Sequence, residues 1–591
     1  MEDKEKLEEK KLYQMMCRHT MSHVLAAAIK EVCGGHIQFG IGPAIEDGFY
    51  YDFDMEHSLV PDDFAKIEEK MHEIVEQNLP MERKEISREE ALKLFADQKY
   101  KVELINDLPE DAVISIYSLG DKFMDLCKGP HVENTKVLRS FAFKINRVSG
   151  AYWRGSEKNK MMQRLYVYGF NSKDDLKEHL RLVQEALERD HRKLGKELGI
   201  FMYSDLVGRG LPMWLPNGFI VRRELSDYIM NKELALGYQH VLTPSIGSVD
   251  LYKTSGHWAH YKDDMFPSMK VDEEEYVLRP MNCPHHMMIY KNFLHSYKEL
   301  PIRIAEIAND FRYEASGSLC GIERTRAFTQ NDSHIFCRPE QIESEVEAVI
   351  KLILDVYKDF GFKKYTFRLS LRDKNNAEKY FGNDDLWEKS ENALREILKN
   401  SGADYYEALG EAAFYGPKID VQVQSALGHD VTLSTVQLDY QLPEKFELEY
   451  VDENDEKQRP VVIHRAILGS LDRFVAFVLE ETKGALPTWL CPVQAKVMNI
   501  AESSEEYAKY VHDELNKAGI RCEYDIRNEK ISYKIREATK AKIPYLLIVG
   551  DKEKENGEVS VRIRGTQESV VMKLEDLIKK ISEQVKTKTL N

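Results

Sequence analysis

The segment Phe311-Arg312-Tyr313-Glu314 follows a strand-like run from Arg303 to Ala308, and a second arginine-bearing segment, Leu468-Gly469-Ser470-Leu471-Asp472-Arg473-Phe474, follows His464. Arginine offers a rigid fork of N–H donors that suits phosphate and stays charged. Two such forks on opposite sides of a nucleotide can stabilise the charge that develops when its α-phosphate is attacked. The alternative interpretation is a pair of ordinary surface salt bridges, which contribute little to stability.

The block of chain around these arginines, residues 200–480, alternates strand-like runs such as Val461-Val462-Ile463 with predicted helices at 340–359 and 386–400. This pattern predicts a mixed or antiparallel sheet with helices packed on it, rather than a doubly wound fold. The block contains neither GxxxxGK[ST] nor GxGxxG after a strand. An ATP site in this block is therefore expected to be of a kind without a glycine-rich phosphate loop.

Three residues of metal-ligand type lie in the same block. Cys283 occurs in Met281-Asn282-Cys283-Pro284, His334 ends Thr329 to His334, and His464 follows a strand-like run. Three ligands with an open fourth position are typical of a catalytic zinc. Because the three are far apart in sequence, spacing alone also allows ordinary buried residues with satisfied hydrogen bonds.

A second set of ligand-type residues lies near the N-terminus. His19 and His23 are four residues apart, which places both rings on one face of a helix, and Cys127 and His131 occur in Asp125-Leu126-Cys127-Lys128-Gly129-Pro130-His131. These four side chains allow a zinc site. They also allow a hydrolytic pocket that positions a water, or two unrelated buried pairs.

Composition limits the class of protein. The chain has 591 residues, which predicts about three to five domains, and a formal charge of −17, which argues against a generally basic surface. No run approaches the roughly 18 apolar residues of a membrane span, and no signal-peptide core follows the charged N-terminus. Eight scattered cysteines fit a reducing compartment, so we expect a cytoplasmic protein.

The C-terminal part has a different pattern. Residues 172–198 predict one helix with a Ser172–Asp175 capping box, which would connect domains. After Pro487, strands at 497–501, 521–526 and 545–549 alternate with helices at about 505–517, 532–542 and 573–585, as in a small α/β domain. A basic stretch in that region is either a solvated helix face or a nucleic-acid site; it consists of Arg527, Lys530, Lys534, Arg536, Lys540 and Lys542.

Taken together, these segments resemble the threonyl-tRNA synthetase family of class II aminoacyl-tRNA synthetases, over about residues 12–585. Motif 1 resembles Trp214 to Pro244, motif 2 resembles Arg312 to Phe328, and motif 3 resembles Gly469 to Arg473. These three motifs define only the class. The threonine signature is a combination of five segments: Met281–Pro284, Thr329–His334, Phe414–Lys418, Gln437–Asp439 and His464-Arg465.

The resemblance implies an α+β and α/β multidomain fold. Its expected parts are an editing domain at 1–170, a linker helix at 171–199, an antiparallel-sheet class II catalytic domain at 200–484 and an α/β anticodon-binding domain at 485–591. The family often begins with a further small β-rich domain, and this sequence is expected to be a form that lacks it.

The resemblance also implies residues for synthesis. Arg312 would clamp the α-phosphate of ATP, Arg473 would lie on the γ-phosphate side, and Phe328 would stack on adenine, with Mg²⁺ bridging the phosphates. Glu314 and Arg324 complete the ATP set, and Lys418 and His257 join the catalytic set. One zinc per chain is expected on Cys283, His334 and His464. Residues expected to bind threonine are Met281, Gln330, Asp332, Tyr415 and Gln437.

Two further sets of residues follow from the resemblance. The editing set is His19, His23, Lys101, Asp125, Cys127 and His131, with Tyr51, or Tyr50 beside it, as a helper. The family edits without a metal, so none is expected there. The anticodon set is Arg527, Asn528, Lys530, Arg536 and Glu537. The implied partners are tRNA(Thr), threonine, ATP and a second copy of the chain held through motif 1, and no membrane.

Threonine selection explains why two sites are needed. A hydrophobic pocket separates isosteres such as threonine and valine by only about a hundredfold, whereas a metal that binds the hydroxyl rejects valine. Serine keeps both ligating groups, and its missing methyl is worth only about 1–3 kcal/mol, so a second site that destroys seryl-tRNA is expected. The rival interpretations are a tRNA- or mRNA-binding regulator without catalysis and a metallohydrolase built on residues 12–170 alone.

Overall fold

The computed structural model describes residues 2–376, 380 and 384–590. The chain forms two compact units, Met1–Gln184 and Glu185–Asn591. Within the described residues, no helix is both long enough and apolar enough to cross a membrane.

The first unit packs a long helix, Glu2–Cys33, against an antiparallel sheet. The helix buries Met21, Val24 and Leu25 completely, which fixes the direction in which His19 and His23 project. The sheet runs in the order Gln38–Phe39, Gly48–Asp54, Met161–Phe170 and Ala142–Tyr152, with Ala44–Ile45 paired to Gly48–Asp54. A second antiparallel sheet contains Met81–Ile86, Ile114–Leu119 and Phe123–Leu126, and the remaining helices are Pro61–Glu76, Arg88–Leu94 and Lys99–Asn106.

The second unit contains an eight-stranded sheet in its described part. Its inner pairs are antiparallel and its two outermost pairs are parallel, so the sheet is mixed, one of the two forms that the sequence predicted. The strand order is Gln239–His240, Ile302–Phe311, Ala327–Cys337, Val461–Ser470, Asp430–Asp439, Lys418–Gln424, Tyr365–Leu371 and Tyr405–Leu409.

Helices pack on this sheet around one large apolar core. The helices predicted at 340–359 and 386–400 are found at Ile342–Phe360 and Asp384–Ser401. The other helices of this part are Pro216–Ala235, Val249–Ser255, His257–His260, Cys283–Lys291, Gln441–Lys445 and Leu471–Thr482. Its smaller sheets are formed by Phe201–Met202 with Met213–Trp214, by Ile246–Ser248, Glu274–Leu278 and Met269–Val271, and by His295–Ser296, Tyr450–Val451 and Lys457–Gln458.

The C-terminal part has its own five-stranded sheet within the described residues. Its strands lie in the order Cys522–Asp525, Ala495–Asn499, Tyr545–Val549, Glu558–Ile563 and Ser569–Lys573, of which the first three are parallel and the last two antiparallel. The three predicted helices are found at Glu505–Lys517, Ile531–Lys540 and Leu574–Lys586. The helix Asp551–Asn556 and the final hairpin were not predicted from the sequence.

The prediction of a single connecting helix at 172–198 is wrong in one respect. The structure has two helices there, Lys173–Arg189 and His191–Glu197. The expected Ser172 cap is present, since its hydroxyl accepts from the Asp175 N–H. The break occurs at Asp190, whose ψ of 115° is not helical and whose carboxylate accepts from the Arg192 N–H at 2.8 Å. Asp190 therefore caps a second helix, and the division into units falls inside the first helix.

Candidate active sites

Strand register brings the three ligand-type residues of the second unit together. His334 lies directly opposite His464 on the neighbouring strand, and His464 lies opposite Gln437 on the next. Cys283 begins the helix Cys283–Lys291, and its Sγ and one nitrogen of each histidine all lie within 4.8 Å of one another. All three residues are buried.

Hydrogen bonds leave one nitrogen of each histidine for a metal. His334 Nδ1 lies 2.8 Å from His286 Nδ1, and its buried Nε2 has no hydrogen-bond partner in the described part of the chain. His464 Nε2 lies 2.9 Å from Asp439 Oδ2, which leaves Nδ1 for a ligand bond. Burial lowers the pKa of His334 well below its ordinary value, so its ring is neutral, as metal binding requires. The donor set fits a zinc ion with an open fourth position.

A cavity of about 660 Å³ opens above these ligands. Tyr415 stacks on the His464 ring at 4.9 Å, and its hydroxyl donates to Gln437 Oε1 at 2.5 Å. Burial raises the pKa of Asp332 to about 6. All five residues expected to bind threonine line this cavity: Met281, Gln330, Asp332, Tyr415 and Gln437.

A second cavity, of about 290 Å³, shares lining residues with the first and makes one continuous cleft. The Arg312 guanidinium lies 4.9 Å from the centre of the Phe328 ring, and Glu314 accepts from Arg324 Nε at 2.8 Å. Arg473 donates to the Glu323 carbonyl at 3.2 Å. The expected ATP-binding residues all line this cavity, together with Lys418: Arg312, Glu314, Arg324, Phe328 and Arg473.

His257 does not join this cleft. In the described part of the chain, His257 lines neither cavity. Its ring is fully buried behind Phe414, and its Nδ1 lies 2.8 Å from Ser255 Oγ. Burial and nearby positive charge lower its pKa to about 3, so the ring is neutral. The structure thus gives no support for His257 as a group that contacts the reacting atoms.

Several residues that line the cleft were not predicted from the sequence, among them His260, Asp310, Thr435 and Ala466. Thr435 and Ala466 lie two positions from a predicted site residue on the same strand, and Asp310 lies two positions before Arg312, which directly follows the end of its strand. Side chains two apart share a face of a sheet. Alternation along the strands would therefore have found Asp310 from Arg312, Thr435 from Gln437 and Ala466 from His464. His260, on a short helix, has no such signal.

The first unit brings its four ligand-type residues into one cluster. Cys127 Sγ lies 3.3 Å from His19 Nε2 and 3.2 Å from His131 Nε2. The His131 ring is 4.1 Å from that of His19 and 4.5 Å from that of His23. Burial raises the pKa of Cys127 to about 11 and lowers the pKa of His131, so both are neutral. One donor atom from each of the four lies within 4.8 Å of the others, so the set would fit a metal ion by chemistry.

The predicted helper residues form a buried group in the same unit. Lys101 Nζ pairs with Asp125, and the Tyr51 hydroxyl donates to the same carboxylate. Lys101 also donates to the Gly40 carbonyl at 2.6 Å. Tyr51 is fully buried, whereas the ring of Tyr50 lies under Arg164 at 4.0 Å, so the choice between the two tyrosines falls on Tyr51.

The basic stretch of the C-terminal part is less continuous than its sequence suggests. Arg527 is exposed and pairs with Asp525 at 2.6 Å and with Glu537 at 2.5 Å, and Asn528, Lys530 and Arg536 are exposed beside it. Lys534 is buried, and its Nζ donates to Asn499 Oδ1 at 2.7 Å. Lys534 therefore holds the α/β fold together and is not part of an exposed basic face.

Comparison with known proteins decides the family. Residues 266–482 match the class II tRNA synthetase core domain (G, H, P, S and T), residues 490–584 match an anticodon binding domain, and residues 114–166 match the threonyl and alanyl tRNA synthetase second additional domain. A threonine–tRNA ligase of Geobacillus sp. (strain WCH70) is 56% identical over 572 residues, which is 96% of this chain and 88% of that protein. The enzyme of Staphylococcus carnosus (strain TM300) is 54% identical over 573 residues, 97% of this chain and 88% of that protein.

The chain belongs to the threonine–tRNA ligase family.

Solved structures of this family agree with the fold. The RNA binding domain of the threonyl-tRNA synthetase from Cryptosporidium parvum Iowa II is 41% identical with a TM-score of 0.64, and covers 67% of this chain and 98% of that chain. A putative threonyl-tRNA synthetase from Aeropyrum pernix is 27% identical with a TM-score of 0.60, and covers 68% of this chain and 97% of that chain. The predicted class II synthetase fold, with editing and anticodon-binding parts, is thereby confirmed.

Proposed function

We propose that this chain activates threonine with ATP and transfers it to tRNA(Thr), and that its first unit hydrolyses seryl-tRNA(Thr). The observation that supports this most strongly is that the Cys283, His334 and His464 cluster lies in the wall of a cleft whose other end is lined by Arg312 and Arg473. A regulator without catalysis has no use for a phosphate clamp beside a metal-type cluster, which argues against that alternative.

Amino-acid selection follows from the residues above the metal-type cluster. A zinc ion on Cys283, His334 and His464 would bind both the amino group and the hydroxyl of threonine, which valine cannot match. The Asp332 carboxylate is the proposed acceptor of the threonine hydroxyl proton, and its pKa of about 6 leaves it mainly ionised at neutral pH. Tyr415 and Gln437, already hydrogen-bonded to each other, are the proposed contacts of the amino group.

Activation uses the arginine-lined end of the cleft. The threonine carboxylate attacks the α-phosphorus of ATP, a P–O bond forms to the amino acid, and the bond to pyrophosphate breaks with its electron pair on the leaving oxygen. Arg312 stabilises the charge at the α-phosphate and Arg473 that of the leaving pyrophosphate. Phe328, Glu314 and Arg324 are the proposed adenine-side contacts, and Mg²⁺ bound with ATP would neutralise the phosphates.

Editing removes the error that the synthetic site cannot prevent. Because one methyl is worth about 1–3 kcal/mol, serine is activated too often. In the first unit, water adds to the seryl ester carbonyl, its proton passes to a neutral imidazole, and the ribose oxygen leaves with a proton. Since such an ester is already activated, a positioned water and a base suffice. We therefore propose that this site works without a metal, although its donor set would fit one.

Three further proposals concern partners and location. The exposed Arg527, Asn528, Lys530 and Arg536, with Glu537, are proposed to bind the anticodon. A homodimer through motif 1 is supported by apolar side chains that are exposed in the single chain: Leu242 is 90% exposed and Phe219 61%. Location in the cytoplasm remains a prediction from composition.

ATP–pyrophosphate exchange tests the proposal directly. The purified chain should exchange pyrophosphate into ATP with threonine and more weakly with serine, and valine should give almost no exchange. Exchange that is absent with every amino acid, while tRNA still binds, would establish the regulator instead. Exchange with valine comparable to that with threonine would refute selection by a metal-bound hydroxyl.

A further inference from the structure

The four ligand-type residues of the editing site are joined to a fifth polar side chain, Thr20, that the sequence analysis did not select. Thr20 is completely buried in the helix Glu2–Cys33, one residue after His19. Its Oγ1 lies 3.1 Å from His131 Nδ1 and accepts from the Val132 N–H at 3.1 Å. We propose that Thr20 is a positioning residue of the editing reaction that sets the proton position on His131. This inference rests on the editing function proposed above.

A row of hydrogen bonds runs through the cluster between two backbone groups, the Pro130 carbonyl and the Val132 N–H. At one end, the Pro130 carbonyl can only accept, so His19 Nδ1, 3.3 Å away, carries a proton. At the other end, the Val132 N–H can only donate, so it occupies a lone pair of the Thr20 hydroxyl. Two atoms that cannot change roles therefore fix the direction of every bond between them.

The middle of the row follows by counting protons. A neutral His19 with a proton on Nδ1 has a lone pair on Nε2, which accepts from the Cys127 thiol at 3.3 Å. The sulfur has then used its only proton, so His131 Nε2, 3.2 Å away, must donate to it. His131 Nδ1 is then a lone pair, and the Thr20 hydroxyl donates to it. The resulting order, from first donor to last acceptor, is Val132, Thr20, His131, Cys127, His19 and Pro130.

The reverse direction is excluded by the same count. If His131 Nδ1 donated to Thr20, its Nε2 would accept the thiol proton, and His19 would have to donate from both nitrogens. That would make His19 a cation in a mostly buried cluster, which costs more than a neutral ring. The Thr20 hydroxyl has a second acceptor within reach, the Met16 carbonyl at 2.9 Å, which can accept from the hydroxyl as well as from a helical N–H. The hydroxyl carries one proton, and we assign it to His131 because donation to Met16 would make His131 Nδ1 donate to Thr20, which is the reverse direction with its cationic His19.

For the reaction, this order of hydrogen bonds provides a defined proton acceptor, His19 Nε2, at the more accessible end of the row of hydrogen bonds. His19 is the least buried of the three histidines in the cluster, and its Nε2 carries the lone pair. A water that displaces the Cys127 thiol from His19 Nε2 therefore meets a proton acceptor and not a donor. Without the Thr20 hydroxyl, His131 has no donor at Nδ1, both of its tautomers become accessible, and the Cys127 thiol proton is no longer directed to His19 alone.

The test uses the full-length chain and preformed seryl-tRNA(Thr), with the variants Thr20→Val, Thr20→Ser and Thr135→Val. Thr135 is the matched control, since it is equally buried in the same unit and its hydroxyl also bonds two backbone groups, at 2.9 and 3.0 Å, outside the cluster. We expect T20V to lower kcat for deacylation about tenfold or more with little change in KM, and T20S and T135V to stay within about twofold of the parent chain. Threonine-dependent ATP–pyrophosphate exchange should be unchanged in all three.

The proton position is read independently by solid-state NMR of the [¹⁵N]histidine-labelled chain, with the His131 signal assigned by its loss in His131→Asn. The parent chain should show a proton on His131 Nε2, and T20V a mixture of tautomers. A proton on Nδ1 in the parent chain, as a metal on Nε2 would require, overturns the inference even if T20V does not fold. Deacylation by T20V at the parental rate, or by T20S as slowly as by T20V, also overturns it. A parent chain that does not deacylate seryl-tRNA refutes the editing function itself.

Discussion

At the scale of single residues, both sites depend on buried histidines whose second nitrogen is already occupied. His286 holds one nitrogen of His334, and Asp439 holds one of His464. Such partners orient a ligand ring and set the nitrogen that binds, and in metal sites they matter nearly as much as the ligands themselves. In the editing cluster, Thr20 and the Pro130 carbonyl play the corresponding part.

Arg312 is the residue whose loss should affect activation most. Replacing Arg312 by alanine removes the charge proposed to face the attacked phosphate, where one such group is worth about 3–4 kcal/mol. We expect threonine-dependent ATP–pyrophosphate exchange to fall by about 10²–10³-fold while the circular dichroism spectrum is unchanged. Arg338→Ala is the control, because that arginine pairs with Glu340 away from the cleft. Near-normal exchange by a folded Arg312→Ala chain would contradict the assignment.

Tyr415 offers a smaller and more specific change. Phenylalanine keeps the ring that stacks on His464 and removes the hydroxyl that donates to Gln437. A hydrogen bond of this kind is worth about 0.5–1.5 kcal/mol, so KM for threonine should rise about two- to tenfold. KM for ATP should not change, because Tyr415 lines only the threonine end of the cleft among the described lining residues. Equal changes in both constants would show that Tyr415 acts on the fold and not on the amino acid.

At the scale of elements, the sequence predicted the regular parts well. The helices at 340–359 and 386–400 and the strand at 545–549 appear within two residues of the prediction, because each has a strong apolar period of its own. The convergence of Cys283, His334 and His464 could not be derived from spacing, since it depends on strand register between segments more than a hundred residues apart. It came from the resemblance alone.

The predicted helix at 172–198 shows where periodicity fails. Apolar residues recur at helical spacing on both sides of Asp190, so the pattern predicts one helix. It cannot show that the Asp190 carboxylate accepts from the Arg192 N–H and caps a second helix. The depth of His257 was likewise not predictable, since sequence indicates chemistry but not burial; the ring lies behind Phe414, and its role in catalysis stays a prediction. Lys534 was expected on a basic face and is instead buried against Asn499.

The break at Asp190 predicts a modest effect on stability. Asp190→Ala removes the side chain that accepts from the Arg192 N–H, and loss of such a cap costs about 0.5–2 kcal/mol. Urea denaturation should therefore give a lower midpoint than that of the parent chain. Asp174→Ala, in the first turn of the preceding helix, serves as the control and should change the midpoint by less. An unchanged midpoint for Asp190→Ala would show that Asp190 is not needed to start the second helix.

At the scale of the whole molecule, synthesis and correction are proposed to occur in different compact units, each with its own cluster of cysteine and histidine. The synthetic cluster is proposed to need a metal, and the editing cluster is proposed to work without one. The two clusters share ligand types but differ in neighbours. The synthetic histidines are each held at one nitrogen by a residue outside the cluster, whereas Cys127 lies within hydrogen-bonding distance of two other members of the editing cluster.

Chelation should therefore separate the two activities. After removal of zinc from the full chain, threonine-dependent exchange should be lost, and deacylation of preformed seryl-tRNA(Thr) should persist at close to its original rate. Adding zinc should restore exchange. Deacylation that disappears with the metal and returns only with zinc would show that the editing cluster is itself a metal site.

The central claim is that Cys283, His334 and His464 hold the zinc that selects threonine, and metal analysis of Cys283→Ala tests it most directly. Cys337→Ala is the control, since that cysteine is equally buried on the strand of His334 but outside the cluster. We predict one zinc per chain in the parent and in Cys337→Ala, and loss of both zinc and threonine-dependent exchange in Cys283→Ala. A Cys283→Ala chain that keeps a full equivalent of zinc and activates threonine normally would contradict the account.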